Sequence, residues 1–309
     1  MNEKKVLLTG ASGFIGRHAI PLLVKSGYEV HAVSFSTKPS LEREFGLFWH
    51  RCDLLNSDEQ KRLMAEVKPT HLLHFAWYAM PGKYWVSLEN LRWVQASLDL
   101  LLNFIDQGGK RAVLAGTCAE YDWSYGYCCE RVTPTQPSTL YGTSKYSLNE
   151  MLSCLSRQTG LSSAWGRIFF LYGPYEHPDR LVSSVIRSIL KGEHTRCSHG
   201  KQLRDFLYVE DVASAFVTLL ESEVQGAINI ASGQPIALKD VIYKIADRLS
   251  RNELVQLGAL PSSANDPPLL VGDVRRLTEE LKWRPENNLE QGLDQTIAWW
   301  KGRIFEESK

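Results

Sequence analysis

Short unbroken apolar runs alternate along this chain with longer stretches whose apolar residues recur at helical spacing. Lys5 to Thr9 predicts a buried strand, and Phe14 to Ser26 follows with an apolar helical face in spite of Pro21. Tyr28 to Ser34 predicts a second strand, and Leu47 to Cys52, His71 to Phe75, Ala112 to Ala115 and Ser163 to Phe169 predict further ones. Helices are expected between them at Ser57 to Glu66, Tyr84 to Ile105 and Tyr141 to Thr159. Regular alternation of strand and helix builds an α/β fold around a doubly wound parallel sheet of Rossmann type.

After Gly173-Pro174 the rhythm loosens. Helices are expected at Leu181 to Leu190 and Val209 to Glu221, short strands at Leu203 to Tyr208 and Ala227 to Ile230, and a mostly helical tail from Leu238. Pro261-Ser262-Ser263 and Asn265-Asp266-Pro267-Pro268 mark a loop in that tail. The expected organisation is a dinucleotide-binding domain over 1–170, with returns to its sheet at 205–231, and a smaller, mostly helical substrate lobe interleaved over 171–309. A ligand belongs in the cleft between them.

Composition removes several function classes. Thirty-five Lys plus Arg balance thirty-five Asp plus Glu, so no net field draws nucleic acid or an anionic membrane. No apolar run reaches spanning length, and Met1 to Lys5 leads directly into a strand pattern, so the expected address is the cytoplasm. The six cysteines show no C-x-x-C spacing, which predicts reduced thiols and neither a zinc site nor any other metal.

Candidate chemistry begins at Gly10-Ala11-Ser12-Gly13-Phe14-Ile15-Gly16, placed between the first strand and the first helix. Glycine lets the backbone approach a pyrophosphate there, and the helix N-terminus supplies amide donors. At the end of the second strand, where an NAD enzyme usually places a carboxylate on the ribose, stand Ser34, Ser36 and Lys38. Those side chains suit a 2′-phosphate, so NADP is expected, with NAD as the alternative. Asp53-Leu54 is a candidate for the adenine edge, or else Asp53 caps a helix.

Tyr141 and Lys145 lie one turn apart on an expected helix, where the ammonium should lower the phenol toward a working proton donor and acceptor. Thr117 ends the fifth strand, at the sheet edge where ligands bind, and could hydrogen-bond a reacting oxygen or merely close a turn.

These motifs resemble the extended short-chain dehydrogenase/reductases, which include nucleotide-sugar epimerases, 4,6-dehydratases and 4-keto-sugar reductases. The likeness spans nearly the whole chain, through His74-Phe75-Ala76, Thr117 with Tyr121, Tyr141-x-x-x-Lys145, Arg167 to Pro174, Arg204 to Val212 and Trp283-Arg284-Pro285. It implies a nicotinamide against Phe75, Ala76, Trp77 and Phe169, with Lys145 on its ribose. It also implies that Tyr141 exchanges a proton with a sugar oxygen while hydride moves between sugar and nicotinamide. Thr117, Cys118, Tyr78, Phe170, Arg180 and Arg204 become substrate contacts, with Arg204 on the diphosphate or else in an ion pair with Asp205 or another carboxylate.

Departures from the family narrow the expected reaction. Cys118 and Ala119 stand where the dehydratases carry Asp-Glu, and Ala119 where one epimerase type carries a cysteine. Asp266-Pro267-Pro268 replaces an arginine-containing loop, leaving Arg180, Lys201 and Arg275 as candidate substitutes in the diphosphate clamp. The leading expectation is NADPH-dependent reduction of the 4-keto group of a nucleoside-diphosphate 4-keto-6-deoxysugar. A 4-epimerase that keeps its NAD(P) and a non-catalytic dinucleotide-binding regulator are the alternatives. A homodimer is expected, as in relatives, through the helices at 84–105 and 141–159, whose apolar faces could equally be core.

Overall fold

The computed structural model describes residues 4–35, 46–262 and 266–307. The first half runs β1 (Lys5–Thr9), α1 (Gly16–Lys25), β2 (Glu29–Ser34), β3 (Leu47–Arg51), α2 (Ser57–Val67), β4 (His71–His74), α3 (Glu89–Asp106), β5 (Arg111–Thr117), β6 (Tyr127–Cys128) and α4 (Leu140–Thr159). The second half runs β7 (Ser162–Ile168), β8 (Phe170–Tyr172), α5 (Leu181–Leu190), β9 (Thr195–Arg196), β10 (Leu203–Tyr208), α6 (Val209–Glu221) and β11 (Gly226–Ile230). It ends with β12 (Pro235–Ala237), α7 (Leu238–Leu249), β13 (Val255–Gln256), β14 (Leu269–Gly272) and α8 (Leu289–Glu307).

Seven parallel strands form the large sheet in the order β11-β7-β5-β4-β1-β2-β3. Side chains alternate across it, which is why β1 reads as a continuous apolar run. Val6 and Leu8 join a core with Ala19, Ile20 and Leu23 of α1 and Phe216 and Leu219 of α6. Leu7 faces the other way, toward Leu63 of α2, Leu101 and Phe104 of α3, and Leu148 and Leu152 of α4. With helices on both faces, the chain leaves β1 toward β2 on one side and β4 on the other. The crevice at the carboxyl ends of β1 and β4 is the switch point where such sheets bind ligands.

A smaller mixed sheet, β12-β10-β14-β6 with β8 also on β10, packs with α5, α7 and α8 around Tyr172, Tyr208, Ile186 and Ile242. The segment 205–231 divides between the two sheets, since β10 belongs to the smaller one while α6 and β11 rejoin the larger.

Two expectations change. The helix expected from Tyr84 begins at Glu89, because the buried Asn90 amide donates to the carbonyls of Tyr84 (2.7 Å) and Ser87 (2.8 Å) and holds that stretch as a turn. The tail from Leu238 is largely helical, through α7 and α8, but strand also enters it. Leu269–Gly272 is a strand between β10 and β6, an apolar run too short to show a period.

Candidate active site at the carboxyl ends of the large sheet

The turn after β1 is bare backbone by necessity. Gly10 has a φ of 65°, and a Cβ there would stand 2.8 Å from the Ala76 nitrogen. The Gly13 N–H donates to the Gly10 carbonyl at 2.9 Å, and the chain then enters α1 at Gly16 with no side-chain cap on its first turn. Ser12, Gly13, Phe14 and Ile15 keep part of their surface open, so this cradle fits the pyrophosphate of a dinucleotide. Ser34 ends β2, is 4 % exposed, and its hydroxyl lies 3.4 Å from that of Ser12. Ser36 and Lys38 lie outside the described residues. The Arg17 guanidinium, against the Tyr175 ring at 3.9 Å, donates to the Ser12 and Gly13 carbonyls at 2.6 and 3.2 Å.

Four other dinucleotide candidates have structural work. The Asp53 carboxylate accepts the Leu55 N–H at 2.9 Å and closes the turn ahead of α2, while Leu54 is buried core. Phe75 turns edge-on to Phe216 at 4.9 Å, and the Ala76 N–H donates to the Thr9 hydroxyl at 3.3 Å.

Thr117 is the last residue of β5 and caps a short 3-10 turn, Cys118–Glu120, its hydroxyl accepting the Ala119 N–H at 3.2 Å. Glu120 reaches back to the Thr117 N–H at 2.8 Å, completing a capping box. The same carboxylate, wholly buried, accepts from the Trp165 indole and the Arg167 guanidinium, each at 2.8 Å. The Thr-x-x-Glu spacing was the available signal for Glu120, a residue that otherwise gives no hint of lying behind the site.

The helix carrying the tyrosine is pressed onto that turn. Thr139 caps α4 by accepting the Gly142 N–H at 3.1 Å, and a Cβ on Gly142 would meet the Ala119 carbonyl at 2.2 Å. The close approach brings the Tyr141 phenol beside Thr117, whose hydroxyl acts to lower its pKa. Around Tyr141 stand Tyr84 and Trp85, edge-on at 4.8 and 5.7 Å, and Trp123 meets Trp85 at 6.0 Å. Neither Tyr84 nor Trp85 stands out in the sequence, since both fall inside a stretch with helical spacing.

Lys145 is 3 % exposed; its ammonium donates to the Ala115 carbonyl at 2.8 Å and lies 3.7 Å from the Trp77 ring centroid. Burial brings its pKa down to about 7, against the opposing field of Glu120. The expected lowering of Tyr141 by this ammonium is not what the site shows. Burial dominates and drives the phenol above its usual range, with the Thr117 hydroxyl pulling the other way. Tyr141 is thus held protonated, as a proton donor. Burial also raises the Cys118 thiol well above its usual range, and Cys118 packs beside Tyr121 and Phe169 as a small apolar residue.

The candidate substrate residues divide. Arg180 lies with its guanidinium carbon 5.3 Å from the Tyr84 ring centroid, beside Tyr141, and Tyr78 follows Trp77 half-buried. Phe170 faces Arg204, 5.5 Å from its guanidinium carbon, whereas Phe169 belongs to the buried cluster with Tyr121. Arg204 is paired with Asp266 and not with Asp205, whose carboxylate takes the N–H groups of Ser232, Gly233 and Gly272. Arg275 is largely exposed and pairs with Asp273, and Lys201 is exposed. Among the described residues no group of three or more His, Cys, Asp and Glu could hold a metal, and no helix is long and apolar enough to cross a membrane.

This arrangement coincides with a family model described as "NAD dependent epimerase/dehydratase family", which matches residues 6–231. The chain belongs to that family. It is the extended short-chain dehydrogenase/reductase group that the motifs resemble. Family relatives include UDP-glucuronic acid decarboxylase 1 of Danio rerio, 27 % identical over 319 residues covering 98 % of this chain and 74 % of that protein. UDP-glucuronate 4-epimerase of Thermodesulfobacterium geofontis is 26 % identical over 317 residues, 96 % of each. Among solved structures, Thermus thermophilus UDP-glucose 4-epimerase in complex with NAD superposes with a TM-score of 0.83 at 26 % identity, covering 96 % of this chain and 99 % of that one.

Proposed function

We propose that this family member is a 4-epimerase of a UDP-sugar that retains its nicotinamide dinucleotide through the catalytic cycle. The observation that carries the reading is the Tyr141 phenol set beside Thr117, with the Lys145 ammonium buried one helical turn further on and a high-pKa thiol and a methyl group, Cys118 and Ala119, next along the chain from Thr117. Such a site handles one proton at one carbon. The sugar C4 hydroxyl becomes a ketone and is reduced again on the opposite face; Tyr141 would take the hydroxyl proton as phenolate, a form that the positive charge of an oxidised nicotinamide would favour, and return it, while Thr117 keeps the oxygen in line. The bound dinucleotide supplies reversible two-electron redox chemistry at that carbon. Gly10, Ser12, Gly13 and the first turn of α1 would hold its pyrophosphate, and the buried Lys145 would orient its ribose. The UDP-sugar substrate and retained cofactor are argued from the relatives named above.

Ser34 favours a second reading. A hydroxyl in place of a carboxylate at the end of β2 suits NADP, and an enzyme that releases its oxidised cofactor would be the NADPH-dependent 4-keto-sugar reductase expected from sequence.

Incubation with UDP-glucose, UDP-galactose and UDP-glucuronate, with product NMR and continuous absorbance at the nicotinamide band, separates the two. Interconversion of C4 epimers without net absorbance change is the expected result. Net NADPH consumption with a 4-keto sugar nucleotide would establish the reductase instead, and release of carbon dioxide from UDP-glucuronate would establish a decarboxylase. The outer face of α3 and α4 carries Leu98, Leu102, Met151 and Leu155 around a depression of about 390 Å³, and we propose that a second copy covers it. Sedimentation velocity on the wild type and Leu102→Glu tests that pairing.

A further inference from the structure

Residues outside the proton-transfer pair are tied into it by one carboxamide. The Trp77 indole N–H donates to the Asn90 side-chain oxygen at 2.9 Å. Asn90 is wholly buried and spends its amide hydrogens on the Tyr84 and Ser87 carbonyls. It therefore locks the plane of the ring that faces Lys145 at 3.7 Å, and also the backbone that sets Tyr84 edge-on to Tyr141 at 4.8 Å.

We propose that Trp77 is a positioning residue for this site, its indole face serving as the fixed partner of the Lys145 ammonium and Asn90 as the lock on that ring. The inference rests on the reading of Thr117, Tyr141 and Lys145 as the reacting centre. A buried ammonium with one carbonyl acceptor has two further hydrogens to satisfy and little water to satisfy them. The negative face of an indole meets part of that need without introducing a carboxylate that would pair with the lysine and hold it away from a ligand.

The other groups facing Lys145 leave this role to the ring. Glu120, from the turn after β5, favours the ammonium but shares its charge with Arg167. His74, on β4, is held neutral by burial, which takes its pKa down to about 3. Tyr141, on the same helix, is held protonated. The Trp165 ring is more distant, at 5.9 Å.

The test reads the lysine directly, so it gives an answer whether or not the 4-epimerase reading survives. The full chain is prepared with 13C-labelled lysine, and the Lys145 resonance is assigned by its disappearance in Lys145→Met. Its titration is then followed in wild type, Trp77→Met, Trp77→Phe and Asn90→Ser, each first checked for native circular dichroism. A desolvated cation–π contact corresponds to a shift on the order of one pKa unit. The Lys145 midpoint should therefore fall by about that much in Trp77→Met, and by less in Trp77→Phe and in Asn90→Ser. If the ring were only packing, its loss would admit water and the midpoint would stay or rise. Either result in Trp77→Met, or in the two milder variants should Trp77→Met fail to fold, would overturn the proposal.

Discussion

Glu120 and Arg167 form an ion pair at 2.8 Å in which both side chains are almost completely excluded from water. The pair lies beneath Thr117, joins β5 to β7 through the Trp165 indole, and sets the field felt by Lys145. Its removal has consequences for stability before any for catalysis.

Glu120→Ala leaves the Arg167 guanidinium buried without its counter-charge. Breaking one side of such a pair costs on the order of 3–5 kcal/mol. Urea unfolding monitored by tryptophan fluorescence should show a loss of that size, and a loss below about 1 kcal/mol would contradict the burial of the pair.

Tyr141→Phe keeps the ring that meets Tyr84 and Trp85 and removes the group that handles the proton. Turnover should fall by roughly 10²–10⁴ with little change in KM. Thr117→Val should lose on the order of 10² and keep the fold, since the Val side chain fills nearly the same space. Steady-state kinetics on the active UDP-sugar checks both, and undiminished Tyr141→Phe turnover would remove Tyr141 from the mechanism.

Lys145 gives a pH dependence of stability whose sign follows from its lowered pKa. The folded value is about 7 and the unfolded value near 10.4, so between these limits the unfolded chain binds more protons and stability rises with pH from this residue. The burial cost is complete below about pH 7 and is relieved toward pH 10. Lys145→Met should therefore stabilise the protein most at pH 6, with the gain shrinking by up to about 1.4 kcal/mol per unit as pH rises. Paired urea titrations of both proteins from pH 6 to pH 10 measure it.

Gly10→Ala places a methyl group 2.8 Å from the Ala76 nitrogen at a left-handed backbone position. The strain should cost about 1–3 kcal/mol of stability and weaken NAD and NADP binding at least tenfold. Calorimetric titration with each dinucleotide provides the measurement, and wild-type affinities from the same series report the preference at Ser34.

The large sheet was legible because its strands are covered on both faces and so appear as unbroken apolar runs, while α4, α5 and α6 have one apolar face at a helical period. The weaker elements were not. β14 is four residues long and shows no period, and the start of α3 is decided by a side-chain amide that outcompetes the helix for two carbonyls.

Sequence alone determined the glycine turn, the Tyr141 and Lys145 pair, and Thr117 at the end of a strand, because local spacing and backbone permissiveness set these. It did not determine how those groups are charged. The tertiary structure decided that the phenol is raised, that the lysine falls to about 7, that Arg204 answers to Asp266, and that Asn90 holds Trp77 over the ammonium. Burial and long-range partners set these outcomes, and both come from residues far apart in the chain.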